Sequence, residues 1–224
     1  MPSQTLEGGI SSVAKEEERA RFFANMSEGL HAMAQPLTIL RSSIPASAAP
    51  NNDPIKQKRY LALSGQQIER ACNLFDLLQG LVIASQMEAD RAPIDFAALL
   101  AALGKDLQAV LRVSGIGLRV AAPSGLPTVM GDAARTQQAL SVALKFAASV
   151  SVAGDVVELV ASIHPGYIEL IVRGDRVHGR SLDSSEQLSL SLAQANILSQ
   201  QGKCELTEDP FCLRMALPVQ FSEP

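Results

Sequence analysis

The chain contains no tryptophan and only 4% aromatic residues, which leaves few platforms on which single-stranded nucleic acid could stack. Cations are not in surplus. Nineteen Lys and Arg stand against 23 Asp and Glu, a formal net charge of −4, so neither nucleic acid nor an anionic membrane finds the clustered positive charge it needs. Cysteine is scarce, with Cys72, Cys204 and Cys212 at no metal-ligand spacing and His31, His164 and His178 far from them. Free thiols are the simpler reading than a zinc centre. No stretch approaches the roughly 20 apolar residues that span a bilayer, and no basic segment leads into an apolar one at the N-terminus. The expectation is a cytoplasmic protein with neither nucleic acid nor membrane as partner.

What is present is a globular composition, 47% hydrophobic and 19% charged over 224 residues, which fits two modest modules. Residues 1–11 are polar, contain glycine and have no periodicity, so they read as a disordered tail. From Ser12 an acidic first turn introduces a helix expected to reach about Ile44. Leu30, Met33, Leu37, Leu40 and Ile44 recur at spacings of three and four, the stripe of a bundle helix. Pro36 interrupts that pattern and removes a backbone hydrogen bond beside His31 and Ala32.

Residues 43–54, with three prolines and Asn-Asn-Asp, form a loop through which no helix is expected to pass. A second helix from about Pro54 to Glu88 carries Leu61, Ile68, Cys72, Phe75, Leu78 and Val82 on one face. Two amphipathic helices joined by a short loop make an antiparallel hairpin. One hairpin cannot cover both stripes, so a second copy closing a four-helix bundle is the simplest solution. The hairpin module spans 12–91.

Residues 92–224 are mixed. Asp95 caps a helix to about Ser114, strands follow near 117–121 and 128–130, and Asp132 caps a helix to about Ser149. Strands near 155–163 and 167–172 pair around His164-Pro165-Gly166, a turn signal. A polar loop from Arg173 to Ser184 precedes a helix at about 185–201, terminated by Gly202, and a last hairpin ends the chain. Helices beside mostly antiparallel strands make the fold class α+β, a helical hairpin followed by an α/β sandwich.

Phe22-Phe23-Ala24-Asn25-Met26-Ser27, then His31 and Gln35-Pro36-Leu37-Thr38, resemble the phosphoacceptor box of sensor histidine kinases, where a histidine precedes a proline by five residues on the first helix of a dimeric bundle. Ser27 stands four residues ahead of the histidine rather than directly before it. The order of modules is similar too, with a sandwich like the ATP-binding domain of those kinases. The resemblance implies His31 as phosphoacceptor and Gln35, one turn beyond, as a residue that orients water for dephosphorylating a partner; a solvated glutamine is the alternative. It also implies that an acidic residue should follow the histidine, whereas Ala32 follows here, and alanine does no acid–base chemistry.

The nucleotide motifs of that family are not matched. The helix 132–149 has no Asn to hold magnesium. After the strand at 168–172 the chain reads Arg173-Gly174-Asp175-Arg176-Val177-His178-Gly179, with the adenine-reading Asp displaced by two positions. Ser185–Leu192 lacks the glycines that let amides approach phosphate and carries Glu186. Autokinase activity should be lost with them. Arg173, Arg176 and Arg180 read as a solvated loop or an anion contact, and His164 as a turn residue.

The chain is similar in this respect to ChpT-type histidine phosphotransferases, kinase-like bodies that have lost ATP use. The expectation is a homodimeric phosphorelay protein in which His31 passes phosphate between receiver-domain aspartates, the receiver supplying its own magnesium and the chain holding no cofactor. Partners should dock near Leu37, Leu40 and Arg41, and a histidine kinase is a further candidate partner. The alternatives are a non-enzymatic pseudokinase that regulates a kinase or receiver, and an active kinase with divergent motifs.

Overall fold

The structure, a computed structural model, describes residues 5–49, 53–174, 182–207 and 210–219. Two compact units follow one another, Met1–Gly80 and Leu81–Pro224. The division falls inside the second helix rather than at the Pro93 segment.

The first unit is the helical hairpin. Helix α1 (Thr5–Ser47) begins within the segment read as a tail and ends beyond the expected stop at Ile44, passing through both Pro36 and Pro45. A proline removes one i to i−4 bond, and a helix anchored by buried residues on both sides tolerates that loss. Gly29, Pro36, Ser43 and Ser47 are the buried positions of α1 among the described residues. Helix α2 (Pro54–Gln86) answers with Ser64, Leu74 and Leu78, all buried within the same unit. Ser43 and Ser64 join the two helices by a hydroxyl–hydroxyl hydrogen bond of 2.9 Å, and Ser64 Oγ donates in turn to Tyr60 O at 2.9 Å. Paired in this way, two buried hydroxyls avoid the penalty of unsatisfied polar groups.

The apolar stripe of large residues is not covered within the single hairpin. Phe23, Leu30, Leu37 and Ile44, one per heptad on α1, and Leu61, Ile68 and Phe75 on α2 are between 49% and 59% exposed. The hairpin uses its small residues for its own contact and leaves its large ones uncovered.

The second unit is a two-layer sandwich. A five-stranded sheet has the order β2 (Gly117–Ala121), β4 (Val156–His164), β5 (Tyr167–Arg173), β7 (Cys212–Pro218), β6 (Lys203–Thr207). The β2–β4 pair is parallel and the other pairs are antiparallel. Helices α3 (Phe96–Val113), α4 (Ala133–Ser149) and α5 (Ser184–Leu198) form the other layer. Inward residues of β4, β5 and β7, among them Val157, Leu159, Ile168, Leu170 and Leu213, share one core with Leu100, Leu140, Leu144 and Ile197 of the helices. Asp95 and Asp132 cap α3 and α4 as read, accepting from Ala98 N and Arg135 N.

A ribbon of β1 (Ala92–Ile94) and β3 (Val129–Gly131) was not expected in full, because β1 is three residues long and is defined by its distant partner. Helix α5 stops at Leu198, before the predicted end. Gln201 then takes φ +63°, and Gly202 follows where a Cβ would lie 2.7 Å from both Ala216 O and Ile197 Cγ2.

Candidate functional site

His31 lies on α1 and is exposed, and neither of its ring nitrogens has a hydrogen-bond partner among the described residues. It faces away from buried Gly29 and Pro36. At about 100° per residue, Gln35, Thr38 and Ser42 return to the face of His31, within about 40° of it, while Leu40 points to the opposite side. Gln35, Thr38 and Ser42 are exposed. Thr38 Oγ1 donates to Ala34 O at 2.8 Å and Ser42 Oγ to Ile39 O at 2.8 Å, so both hydroxyl protons are committed to the helix. Of the three expected docking residues, Leu37 and Arg41 are exposed on neighbouring faces and Leu40 is half-buried. The α1 helix does not gather them around His31.

Pro36 acts on this region through the backbone. It has no N–H for the carbonyl of Ala32, the residue after His31, so that carbonyl lacks its usual intrahelical donor.

The second region of interest is where α4, the end of β5 and the first turn of α5 converge. Phe146 on α4 meets Phe211, ring centroids 4.8 Å apart, and both are buried. Gly174, directly after β5, donates from its N–H to Phe211 O at 3.2 Å. The first turn of α5 closes on itself: Asp183 Oδ1 accepts from Glu186 N at 2.9 Å and Glu186 Oε2 accepts from Asp183 N at 3.0 Å. This capping box places two carboxylates at the end of the helix whose amides would otherwise attract an anion. Glu186 Oε1 also lies 3.4 Å from Ser149 Oγ at the end of α4. Further along the same pair of helices, Asn196 Nδ2 donates to Gln138 Oε1 at 2.9 Å and Gln200 Nε2 to Thr136 Oγ1 at 3.3 Å. Asp175, Arg176, His178 and Arg180 fall outside the described residues.

Leu188 and Leu192 of α5 are buried, and Leu190, Ala193 and Ile197 belong to the core of the sandwich. Beside α5 a groove of about 470 Å³ runs past Gln187, Leu190, Ser191 and Gln194 to Leu206, with no charged residue among the described residues that line it. Its one ionisable group, Cys204, has its thiol pushed up to about 12 by burial, with the Glu205 carboxylate adding to the effect. A thiol held protonated in this way is a poor nucleophile.

Sequence reasoning did not single out Arg135. Its guanidinium donates to Met87 O at 2.7 Å, Glu88 O at 3.1 Å, and Ile83 O and Ala84 O at 3.4 Å each, with its Nε 3.2 Å from Asp132 Oδ2. These include carbonyls that the end of α2 leaves without intrahelical partners. Asp132 is held in turn, its Oδ2 accepting from Asp90 N at 3.1 Å and its N–H donating to Gln200 Oε1 at 2.7 Å. Among the described residues no cluster of three His, Cys, Asp or Glu could hold a metal, and no helix is long and apolar enough to cross a membrane.

A helical hairpin bearing an exposed histidine, followed by a sandwich of three helices on a five-stranded mixed sheet, is similar in fold to the cores of histidine kinases of known structure. The histidine kinase AdeS of Acinetobacter baumannii is similar over 85% of this chain and 98% of its own, at 18% identity and a TM-score of 0.67. The histidine kinase ThkA, solved in complex with the response regulator protein TrrA, is similar over 98% of this chain and 68% of its own, at 15% identity and a TM-score of 0.72. A histidine kinase from Burkholderia phymatum covers 85% of this chain, with 97% of its own, at 18% identity and a TM-score of 0.53. Compared by sequence, the chain matches no family model and no curated protein.

Proposed function

We propose that this chain is a histidine phosphotransferase of two-component signalling, in which His31 accepts a phosphoryl group from one receiver-domain aspartate and passes it to another without using ATP. The observation that carries the reading is the first turn of α5, where Asp183 and Glu186 occupy the amides of the helix end with their own carboxylates. Triphosphate would meet two negative charges there. Phe146 and Phe211 pack together beside Gly174, and α4 offers no Asn for a metal. The residues present do not fit a magnesium nucleotide, and no step of the proposed reaction passes through one.

His31 is suited to the relay. A neutral imidazole is a nucleophile at cellular pH, and an exposed one needs only a partner that brings the phosphoryl group and its magnesium. No Lys or Arg stands on α1 between Arg21 and Arg41, so charge neutralisation falls to the receiver. ThkA, a protein of similar fold, was solved in complex with a response regulator, which supports a receiver as partner. Gln35, exposed one turn beyond His31, would orient the water that hydrolyses a partner's aspartyl phosphate. The exposed stripe of Phe23, Leu30, Leu37 and Ile44 with Leu61, Ile68 and Phe75 supports a homodimer closing a four-helix bundle.

The test is transfer from a phosphorylated receiver. Label should reach the wild-type chain and not His31→Ala. If the wild type takes no label from any receiver of its host while still binding one, the pseudokinase reading takes its place. Binding of magnesium-ATP at micromolar concentration would overturn the account of the sandwich and restore the kinase reading.

A further inference from the structure

The five-stranded sheet ends on β6. Among the described residues this strand pairs with β7 alone, and no backbone hydrogen bond reaches its outer edge. Its five residues, Lys203 to Thr207, include no proline, and their pairing with β7 runs without a bulge. Such an edge offers N–H and C=O groups to a further strand. Successive side chains of a strand point to opposite faces, and a groove borders each face of β6. On the face turned away from the helices, Lys203 and Glu205 line a groove of about 440 Å³ together with Tyr167, Glu169 and Arg214. On the helix face, Cys204 and Leu206 line the groove of about 470 Å³ beside α5, with Gln187, Leu190 and Gln194. One side of the edge is charged and the other is not.

The charges on the outer face are not matched within it. Arg214 stands opposite Glu205 in the register but turns its guanidinium to Glu169, at 3.5 Å. Lys203 and Glu205, both exposed, are left without an ion-pair partner among the described residues. We propose that the free edge of β6 binds an extended segment of a partner protein as a further, antiparallel strand. That segment carries an acidic residue opposite Lys203, a basic residue opposite Glu205 and apolar residues opposite Cys204 and Leu206. Read from its N-terminus, its pattern is apolar, basic, apolar, acidic. The inference stands apart from the relay reading and needs no phosphate on His31.

In strand addition the main-chain hydrogen bonds supply affinity, and the sites for alternate side chains supply selectivity. Residues directly opposite in an antiparallel pair have Cβ atoms about 4.5–5.5 Å apart, so opposite charges there attract and like charges repel. The antiparallel direction is chosen because it is the more stable per residue. A second copy of β6 is the poorer occupant. Its own run Gly202-Lys203-Cys204-Glu205 has the charges in the required order. It would, however, bring only a glycine and a cysteine to the uncharged groove, and Gly202 is buried against Ala216 O and Ile197 rather than lying at a free edge.

The test uses the full chain and two fluorescent peptides, Ser-Val-Lys-Val-Glu-Val-Ser and the same peptide with its Lys and Glu exchanged. Anisotropy titrations should show the first binding about tenfold more tightly than the second, the effect of reversing two cross-strand charge pairs. The double variant Lys203→Glu with Glu205→Lys should prefer the exchanged peptide, a reversal that mere loss of structure cannot produce. Leu206→Glu should weaken both peptides by a similar factor, because it puts a charge into the uncharged groove. Circular dichroism and melting check that these exposed substitutions leave the fold intact. Equal binding of the two peptides, a preference of the wild type for the exchanged one, or an unreversed preference in the double variant overturns the inference. So does failure of the wild type to bind either peptide at millimolar concentration. If that failure comes with a halving of the solution mass in Lys203→Glu alone, the edge belongs to a second copy instead of a partner.

Discussion

At the scale of single residues, the end of α5 shows how a local preference yields to a close approach. An L-residue at φ +63° is a normal helix-ending conformation for glycine and costs about 1 kcal/mol for others, and Gln201 holds that position. The glycine is spent one residue later, where Gly202 lies against Ala216 O and Ile197. Gln201→Gly should therefore raise the melting temperature by a few degrees. Gly202→Ala should lower stability by about 2 kcal/mol or more, because backbone on both sides resists the new methyl. Thermal denaturation of the two variants checks both signs. Reading the chain alone identifies Gly202 as the terminator but not Gln201, since the contact with β7 that fixes the glycine comes from residues distant in the chain. Arg135 was illegible for the same reason. Its partners at 83–88 lie some fifty residues away, and nothing in the pattern of α4 distinguishes a helix-capping guanidinium from a solvated one.

At the scale of elements, what could be read was what is decided locally. Asp95 and Asp132 precede helices that need a cap, and the alternation of β4 and β5 around a Pro-Gly turn is a short-range signal. The segment β1 is too short to carry a signal of its own. The length of α1 was misjudged at both ends, residues 1–11 being read as a tail and the prolines of 43–54 as a stop, whereas the helix runs through Pro45 as it does through Pro36, each at the loss of a single hydrogen bond. Pro36 is thus a tolerated defect in α1. Pro36→Ala restores a donor to Ala32 O and should stabilise the hairpin by about 1–3 kcal/mol, less whatever packing the buried ring contributes. On the relay reading the same substitution slows transfer through His31, because the repaired turn loses its freedom. Melting curves and receiver labelling of one variant measure both effects.

At the scale of the whole molecule, the two apolar stripes of the hairpin have different uses. Small residues and a serine pair hold α1 to α2, while the large residues stay on the outside. The heptad spacing of the large residues was visible in the chain, but the second stripe of small residues that joins α1 to α2 was not, because small residues and serines carry no hydrophobic signal of their own. The proposed dimer predicts a solution mass of twice 23.8 kDa. Leu37→Glu combined with Ile68→Glu should give a folded monomer in sedimentation or light scattering, since burying a carboxylate in an apolar bundle costs several kcal/mol per copy. A wild-type monomer at tens of micromolar would refute the dimer.

The acid-capped first turn of α5 has a consequence for the direction of signalling. A kinase draws on the hydrolysis of nucleotide and so drives phosphate one way. A relay that cannot draw on it adds no free energy, and its net flux follows only the ratio of phosphorylated to unphosphorylated partners on either side. Under the proposed function this chain equilibrates two pools of aspartyl phosphate: when the downstream pool is fuller than the upstream one, the same histidine drains it backward, and the sense of the signal reverses with no change in the protein.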